Sequence, residues 1–103
     1  MARNQFQTLT EPMFYILLSL TEECCGVDIM EKVKELSNGS VLVGPGTLYA
    51  MLQKFEENKI VRETKQEGRK RSYIITDIGL SMLKEECARL WRQLEDAAKV
   101  LGE

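Results

Sequence analysis

From Leu80 to Leu101 the apolar residues Leu80, Leu83, Cys87, Leu90, Leu94, Ala97 and Leu101 recur at alternating spacings of three and four. An α-helix brings residues so spaced onto one side, and the alternation is that of a coiled-coil seam kept up for about three heptads. Trp91 and Ala98 lie beside the seam and widen it. Thr76-Asp77 provides a hydroxyl cap, so the pattern predicts a helix from about Ile78 to Val100. A helix of roughly 23 residues is about 35 Å long. A chain of 103 residues has enough apolar material for one core, and so small a core cannot cover that whole length. The surplus predicts a second copy packed along it, with Leu80, Leu83, Cys87, Leu90, Trp91, Leu94 and Leu101 at the dimer interface.

Three shorter helices are expected ahead of it. Thr10-Glu11-Pro12 reads as a start: an N-cap hydroxyl, an acid in the first turn and a proline where no donor is needed. That helix is expected to reach about Glu22, with Met13, Leu17 and Leu20 on its buried stripe and Phe14 and Leu18 widening it. A second is expected from about Val27 to Leu36, with Ile29, Val33 and Leu36 inward. It stops at Ser37-Asn38-Gly39, where asparagine or glycine takes a left-handed conformation. Val41-Leu42-Val43 is expected as one small strand. Gly44-Pro45-Gly46-Thr47 opens the third helix, which buries Leu48, Met51, Leu52 and Phe55. At about 100° per residue, its outer face carries Gly46, Ala50, Gln53 and Glu57, flanked by Thr47, Lys54 and Tyr49. That face is small and polar, and suits close approach to another surface.

A β-type pattern follows. Ile60 to Lys65 and Ser72 to Thr76 are rich in β-branched residues. The Gln66–Arg71 stretch between them contains a glycine and the consecutive cations Arg69, Lys70 and Arg71. This reads as a hairpin with a basic tip or basic second arm. The whole chain has a net charge of −2, yet residues 54–73 hold seven cations against four anions, leaving −5 for the remainder. A locally basic region on an acidic body is enough for a phosphate-facing surface.

Several function classes are disfavoured. There is no histidine, which removes the commonest general base and metal ligand. Cys24, Cys25 and Cys87 are too poorly spaced for a metal site and odd in number for a disulfide framework. Neither a cofactor nor a metal nor an enzymatic activity is expected. The longest apolar run, Met13 to Leu18, is six residues, far short of the roughly 18 that span a bilayer. The N-terminus has no signal-peptide pattern, so a cytoplasmic protein with reduced thiols and no membrane partner is expected.

The order of three helices, hairpin and long helix is that of a winged helix-turn-helix, mainly α with a small β-hairpin (α+β). Residues 1–76 are expected to form the DNA-binding domain and residues 77–103 the dimerisation helix. The third helix would enter the major groove and the hairpin wing would lie along the backbone. Double-stranded DNA with an inverted repeat is the expected partner of the homodimer. Arg69, Lys70 and Arg71 would neutralise phosphates, the amides at Gly46 and Thr47 could take another, and Tyr49, Gln53 and Lys54 complete the candidate DNA-binding residues. Arg3 and Gln5 stand either as an arm reaching DNA or as a frayed end.

Pro45-Gly46-Thr47-Leu48-Tyr49-Ala50-Met51-Leu52, continued by Phe55-Glu56-Glu57-Asn58-Lys59-Ile60, resembles the recognition-helix signature of the PadR family of bacterial regulators. Gly68-Arg69-Lys70-Arg71-Ser72-Tyr73-Ile74-Ile75-Thr76-Asp77-Ile78-Gly79 is similar to that family's wing and the entry to its last helix, and Gly26-Val27-Asp28-Ile29 to the start of its second helix. The resemblance covers about residues 10–80. It implies a dimeric repressor whose long C-terminal helix packs on its partner, as in the smaller branch of the family. Asn58-Lys59 departs from the pattern, which more often has glycine there. In some small members drugs or aromatic compounds bind between the subunits beside a tryptophan of the last helix, and the resemblance makes Trp91 the candidate ligand-binding residue.

Other readings stand beside these. Tyr49 either contacts DNA or packs on the helix edge. Trp91 belongs to the dimer core, to a ligand platform, or to both. The whole domain could be a winged-helix protein-interaction module without DNA binding, or Cys24 and Cys25 could form a thiol redox switch. The leading expectation is a ligand- or stress-responsive repressor of its own operon or of a transporter operon.

Overall fold

Threonine hydroxyls cap the starts of the first and last helices of this protein. The computed structural model describes residues 8–102, so Arg3 and Gln5 lie outside the described residues. The chain forms α1 (Glu11–Ser19), β1 (Cys24–Cys25), α2 (Gly26–Leu36), α3 (Pro45–Glu57), β2 (Val61–Glu67), β3 (Lys70–Ile75) and α4 (Asp77–Leu101). The Thr10 hydroxyl accepts from the Met13 N–H and the Thr76 hydroxyl from the Gly79 N–H, at 3.4 and 3.1 Å. These caps satisfy N–H groups that a helix cannot bond internally. α1 ends at Ser19, short of the expected Glu22, because its last carbonyls find other donors. The Ser19 hydroxyl donates to the Ile16 carbonyl at 2.6 Å and that of Thr21 to the Leu18 carbonyl at 2.9 Å. The chain then leaves the helix, and the Leu20 carbonyl accepts from the Ile75 N–H at 2.8 Å.

Both α2 and α3 end in Schellman motifs. At α2, Asn38 takes the left-handed conformation (φ 53°) and Gly39 N–H bonds the Lys34 carbonyl at 2.8 Å. At α3, Lys59 takes it (φ 60°) and Ile60 N–H bonds the Phe55 carbonyl at 2.8 Å. The position where the resemblance asks for glycine is thus one whose backbone favours glycine.

The expected strand at Val41-Leu42-Val43 does not form. The Val41 N–H donates to the Ser37 hydroxyl at 3.0 Å, and the sheet edge is taken by Cys24-Cys25, which pair with Tyr73 and Ser72. The sheet is antiparallel in the order β1-β3-β2. The hairpin is longer than its sequence suggested. Glu67 pairs with Lys70, leaving the two-residue turn Gly68-Arg69, with Gly68 at φ 63°. A left-handed glycine at the first turn position is the requirement of a type II′ turn.

The core gathers Ile16, Leu17 and Leu20 from α1 and its cap, Ile29 and Val33 from α2, and Leu48, Leu52 and Phe55 from α3. Ile60, Val61, Tyr73, Met82 and Leu83 close it. Ile16, absent from the expected stripe, is fully buried, whereas Met13, Phe14 and Leu18 are half-buried. Leu36 is 52% exposed rather than inward, because it is the last residue of α2 and lines a surface groove with Leu18 and Lys32.

α4 is 25 residues long. Its first three turns bury Gly79, Met82, Leu83 and Glu86 against the rest of the fold. Leu83 is therefore a core residue of its own subunit, a correction to its expected place at the dimer seam, and residues 77–86 complete the same core as residues 9–76. Glu86 is 5% exposed, and Arg89 Nε donates to its carboxylate at 2.9 Å. That pairing and a bond from the Leu9 amide hold the carboxyl below its ordinary range despite burial. Beyond it the helix projects from the body. The radius of gyration, 14.7 Å, exceeds the ~13 Å of a compact chain this long. No helix among the described residues is long and apolar enough to cross a membrane.

Candidate nucleic-acid interface

An exposed proline, Pro45, opens α3. Gly44 is the N-cap and makes no side-chain capping bond, and Pro45 has no N–H to satisfy. Gly46 and Thr47 are exposed, so their amides face solvent at the positive end of the helix dipole. Leu48, Leu52 and Phe55 anchor the inner face, which turns Tyr49, Ala50, Gln53, Lys54 and Glu57 outward.

The hairpin folds back beside that outer face. Tyr49, Gln53 and Glu56 of α3 line a cleft of about 510 Å³ with Arg69, Arg71 and Tyr73 of the wing. A second cleft of about 270 Å³ continues it around Tyr49, joining Arg69, Lys70 and Arg71 to Cys25, Gly26 and Val27 at the start of α2. Five of the eight residues singled out for DNA binding, Tyr49, Gln53, Arg69, Lys70 and Arg71, therefore line two adjoining clefts that share Tyr49, Arg69 and Arg71. Gly46, Thr47 and Lys54 are exposed on α3 but line neither cleft.

Tyr49 both packs and remains accessible. Its ring lies against Gly26, while 45% of the residue stays exposed. Cys25, the N-cap of α2, makes no side-chain capping bond, and its thiol instead donates to Asp28 at 3.3 Å.

The cations differ in their surroundings. Arg69 and Lys70 have no ion pair among the described residues. Arg71 Nε stands 3.4 Å from a Glu63 carboxylate oxygen, and its neighbours Tyr73 and Glu63 raise the guanidinium's affinity for its proton. Burial pushes the Tyr73 phenol up, so it stays neutral. Lys65 lies 3.8 Å from Glu23 and 3.4 Å from Glu67, on the other face of the hairpin. Sequence reasoning missed Gly26, Val27, Glu56 and Tyr73. Tyr73 could have been placed by its period-two relation to Arg71, whereas the start of α2 could not, because only the packing brings it to the wing.

Cys24 and Cys25 are both buried and Cys87 is exposed. Burial pushes the Cys24 thiol up, away from the reactive thiolate. On α4 the apolar stripe beyond the core is open: Leu90 is 42% exposed, Trp91 65%, Leu94 64% and Leu101 68%, while Leu80 is half-buried.

The sequence pattern of the family described as "Transcriptional regulator PadR-like family" matches residues 16–85, which span α1 to the buried third of α4. The chain belongs to this family. No curated protein matches the PadR-like chain. Among solved structures, a transcriptional regulator from Clostridium thermocellum shares 17% identity over 97% of this chain and 99% of its own, with a TM-score of 0.71. A PadR-like transcription factor from Bacteroides fragilis shares 23% over 96% of each chain, with a TM-score of 0.69. A PadR family regulator from Eggerthella lenta shares 22% over 97% of this chain and 80% of its own, with a TM-score of 0.67. At these identities the likeness speaks for the fold, a winged helix with a long terminal helix. The PadR-like family is one of transcription regulators and not of enzymes.

Proposed function

We propose that the chain is a homodimeric repressor that binds an inverted repeat in double-stranded DNA and releases it on binding a small aromatic or drug-like ligand or on a stress signal. The observation that carries this reading is the adjoining clefts in which the outer face of α3 meets Arg69, Lys70 and Arg71 of the wing, the first two without an ion pair among the described residues. α3 would enter the major groove with Gln53 and Tyr49 toward the bases, while Lys54 and the amides of Gly46 and Thr47 take phosphates. Arg69 and Lys70, without carboxylate partners among the described residues, are the natural counter-ions of the backbone.

The open stripe of α4 supports the dimer. Cys87, Leu90, Trp91, Leu94 and Leu101 would lose water against a second copy, with Leu80 at the edge of the contact. Residues 1–76 would carry the DNA-contacting surface and residues 77–103 the dimerisation helix, which also closes the core at its start. Trp91 in such an interface would face the partner and any cavity left between the helices. The reading places the protein in the cytoplasm, with no cofactor or metal.

The test is enrichment of duplexes from a random-core pool by the purified protein, with sedimentation of the complex. An enriched inverted repeat bound by two chains is the expected result. A single chain in solution that enriches nothing at low ionic strength sinks the proposal. Fluorescence of the single tryptophan, Trp91, against planar aromatic compounds tests the ligand.

A further inference from the structure

A β-bulge sorts the wing's cations onto opposite faces of the hairpin. Glu63 pairs with Tyr73, but after the irregularity at Thr64 it is Lys65 that pairs with Ser72 and Gln66 that pairs with Arg71. Without the extra residue, Lys65 would stand directly across from Arg71, and like charges so placed repel. The bulge sends Lys65 to the outer face beside Glu23 and Glu67. On the inner face, toward α3, it leaves Arg71 with Glu63 3.4 Å from its Nε, in the cleft that the buried Tyr73 also lines.

A guanidinium paired with a carboxylate differs from an unpaired one even where, as here, it is half-exposed. Its charge is already offset by Glu63, so it adds less than a free cation to the counter-ions released from DNA. The ion pair to Glu63 biases its orientation before DNA arrives, and its remaining N–H groups stay open to a partner because the side chain is 52% exposed. Arg71 lines the same cleft as Gln53 and Tyr49 on the outer face of α3. A fork so biased beside a groove-entering helix matches the paired acceptors of a guanine edge better than it matches a diffuse phosphate field.

We infer that Arg71, paired with Glu63 in the cleft beside α3, reads sequence at a base edge, whereas Arg69 and Lys70 contact phosphate. The inference rests on the DNA-binding reading above. It makes Glu63 a positioning residue, and the Thr64 bulge the device that keeps Lys65 away from Arg71.

The test compares a duplex enriched by the wild-type protein with a scrambled duplex across a potassium chloride series. Arg71→Lys keeps the charge and loses the fork. It should weaken binding to the enriched duplex about tenfold or more, and to the scrambled one far less. Glu63→Gln frees the guanidinium, and should tighten scrambled binding, steepen the salt dependence and narrow discrimination. Arg69→Ala should weaken both duplexes alike and reduce the salt slope by about one. Equal losses on both duplexes for Arg71→Lys, or retained discrimination in that variant, overturn the assignment of Arg71 alone. A wild-type protein that enriches no duplex overturns the DNA reading itself.

Discussion

The ring of Tyr49 lies so close over Gly26 that a side-chain carbon on that glycine would meet the phenol Cζ at 2.9 Å and overlap its hydroxyl. One glycine therefore lets the exposed face of α3 approach the start of α2, and this approach joins the two clefts beside the wing. Gly26→Ala should cost less than the roughly 1–3 kcal/mol of overpacking a core, because the half-exposed phenol can swing aside. Most of that cost should vanish when Tyr49→Ala is combined with it, in a thermal or urea double-mutant cycle. Additive losses would show that the ring does not set the cost.

Gly79 makes a sterner version of the same contact. An added carbon there overlaps the Ile60 backbone carbonyl and comes within 2.7 Å of Ile75 Cγ1. A backbone carbonyl cannot swing aside as a tyrosine tip can. Gly79→Ala should therefore destabilise more than Gly26→Ala, by about 3 kcal/mol or more. Equal unfolding midpoints for the two variants would contradict this ranking.

Lys59 adopts φ 60° in the Schellman turn that ends α3. A side chain in that conformation costs roughly 1–2 kcal/mol relative to one in the right-handed region. Lys59→Gly should raise stability by about 1 kcal/mol, since the greater freedom of glycine in the unfolded chain offsets part of the relief. A lower urea midpoint for the variant would mean that the lysine side chain contributes more than its backbone costs.

The Glu86 carboxyl titrates below its ordinary value of 4.5 in the folded chain, because Arg89 and the Leu9 amide favour its charged form. An acid whose pKa is depressed by folding stabilises the fold fully above its unfolded value. That contribution is lost as pH falls through the folded value. Stability should therefore drop below about pH 4.5 more steeply in the wild type than in Glu86→Gln. The variant should be less stable at neutral pH, and the two urea curves should converge in acid. Parallel pH profiles would argue that the pair is inert.

Cys87 sits on the open stripe of α4, one turn from Leu90, whereas Cys24 and Cys25 are buried within the subunit. If the stripe is a dimer seam, Leu90→Glu should give single chains in sedimentation. Iodoacetamide should then reach Cys87 several-fold faster in that variant than in the wild type, while Cys24 and Cys25 stay slow in both. A Cys87 that reacts rapidly in the wild type at high concentration would place the seam elsewhere.

How much of this could be read in advance depended on how local each cause was. The stripe of α3 and the caps at Thr10 and Thr76 rest on contacts within a few residues, and they appear where the residue spacings put them. The left-handed turn at Asn38-Gly39 follows the same rule. The two-residue strand Cys24-Cys25 carries no period of its own and exists because the edge of β3 needs a partner. Val41-Leu42-Val43 has strand composition, yet the Ser37 hydroxyl satisfies the Val41 amide and β1 occupies the edge. Leu80 and Leu83 share one heptad pattern with Leu90 and Leu94, and nothing in that pattern distinguishes a core turn from an open one.

Residue order alone determined the succession of helices, the basic hairpin and the surplus length of the last helix, because period, capping and charge act over a turn or two of chain. Tertiary structure decided which turns of that helix its own body covers. It also decided that Arg71 is held by Glu63 while Arg69 and Lys70 are not, and that Tyr49 rests on Gly26. These outcomes depend on which distant segments meet and on a one-residue shift in strand register, and neither leaves a mark in local spacing.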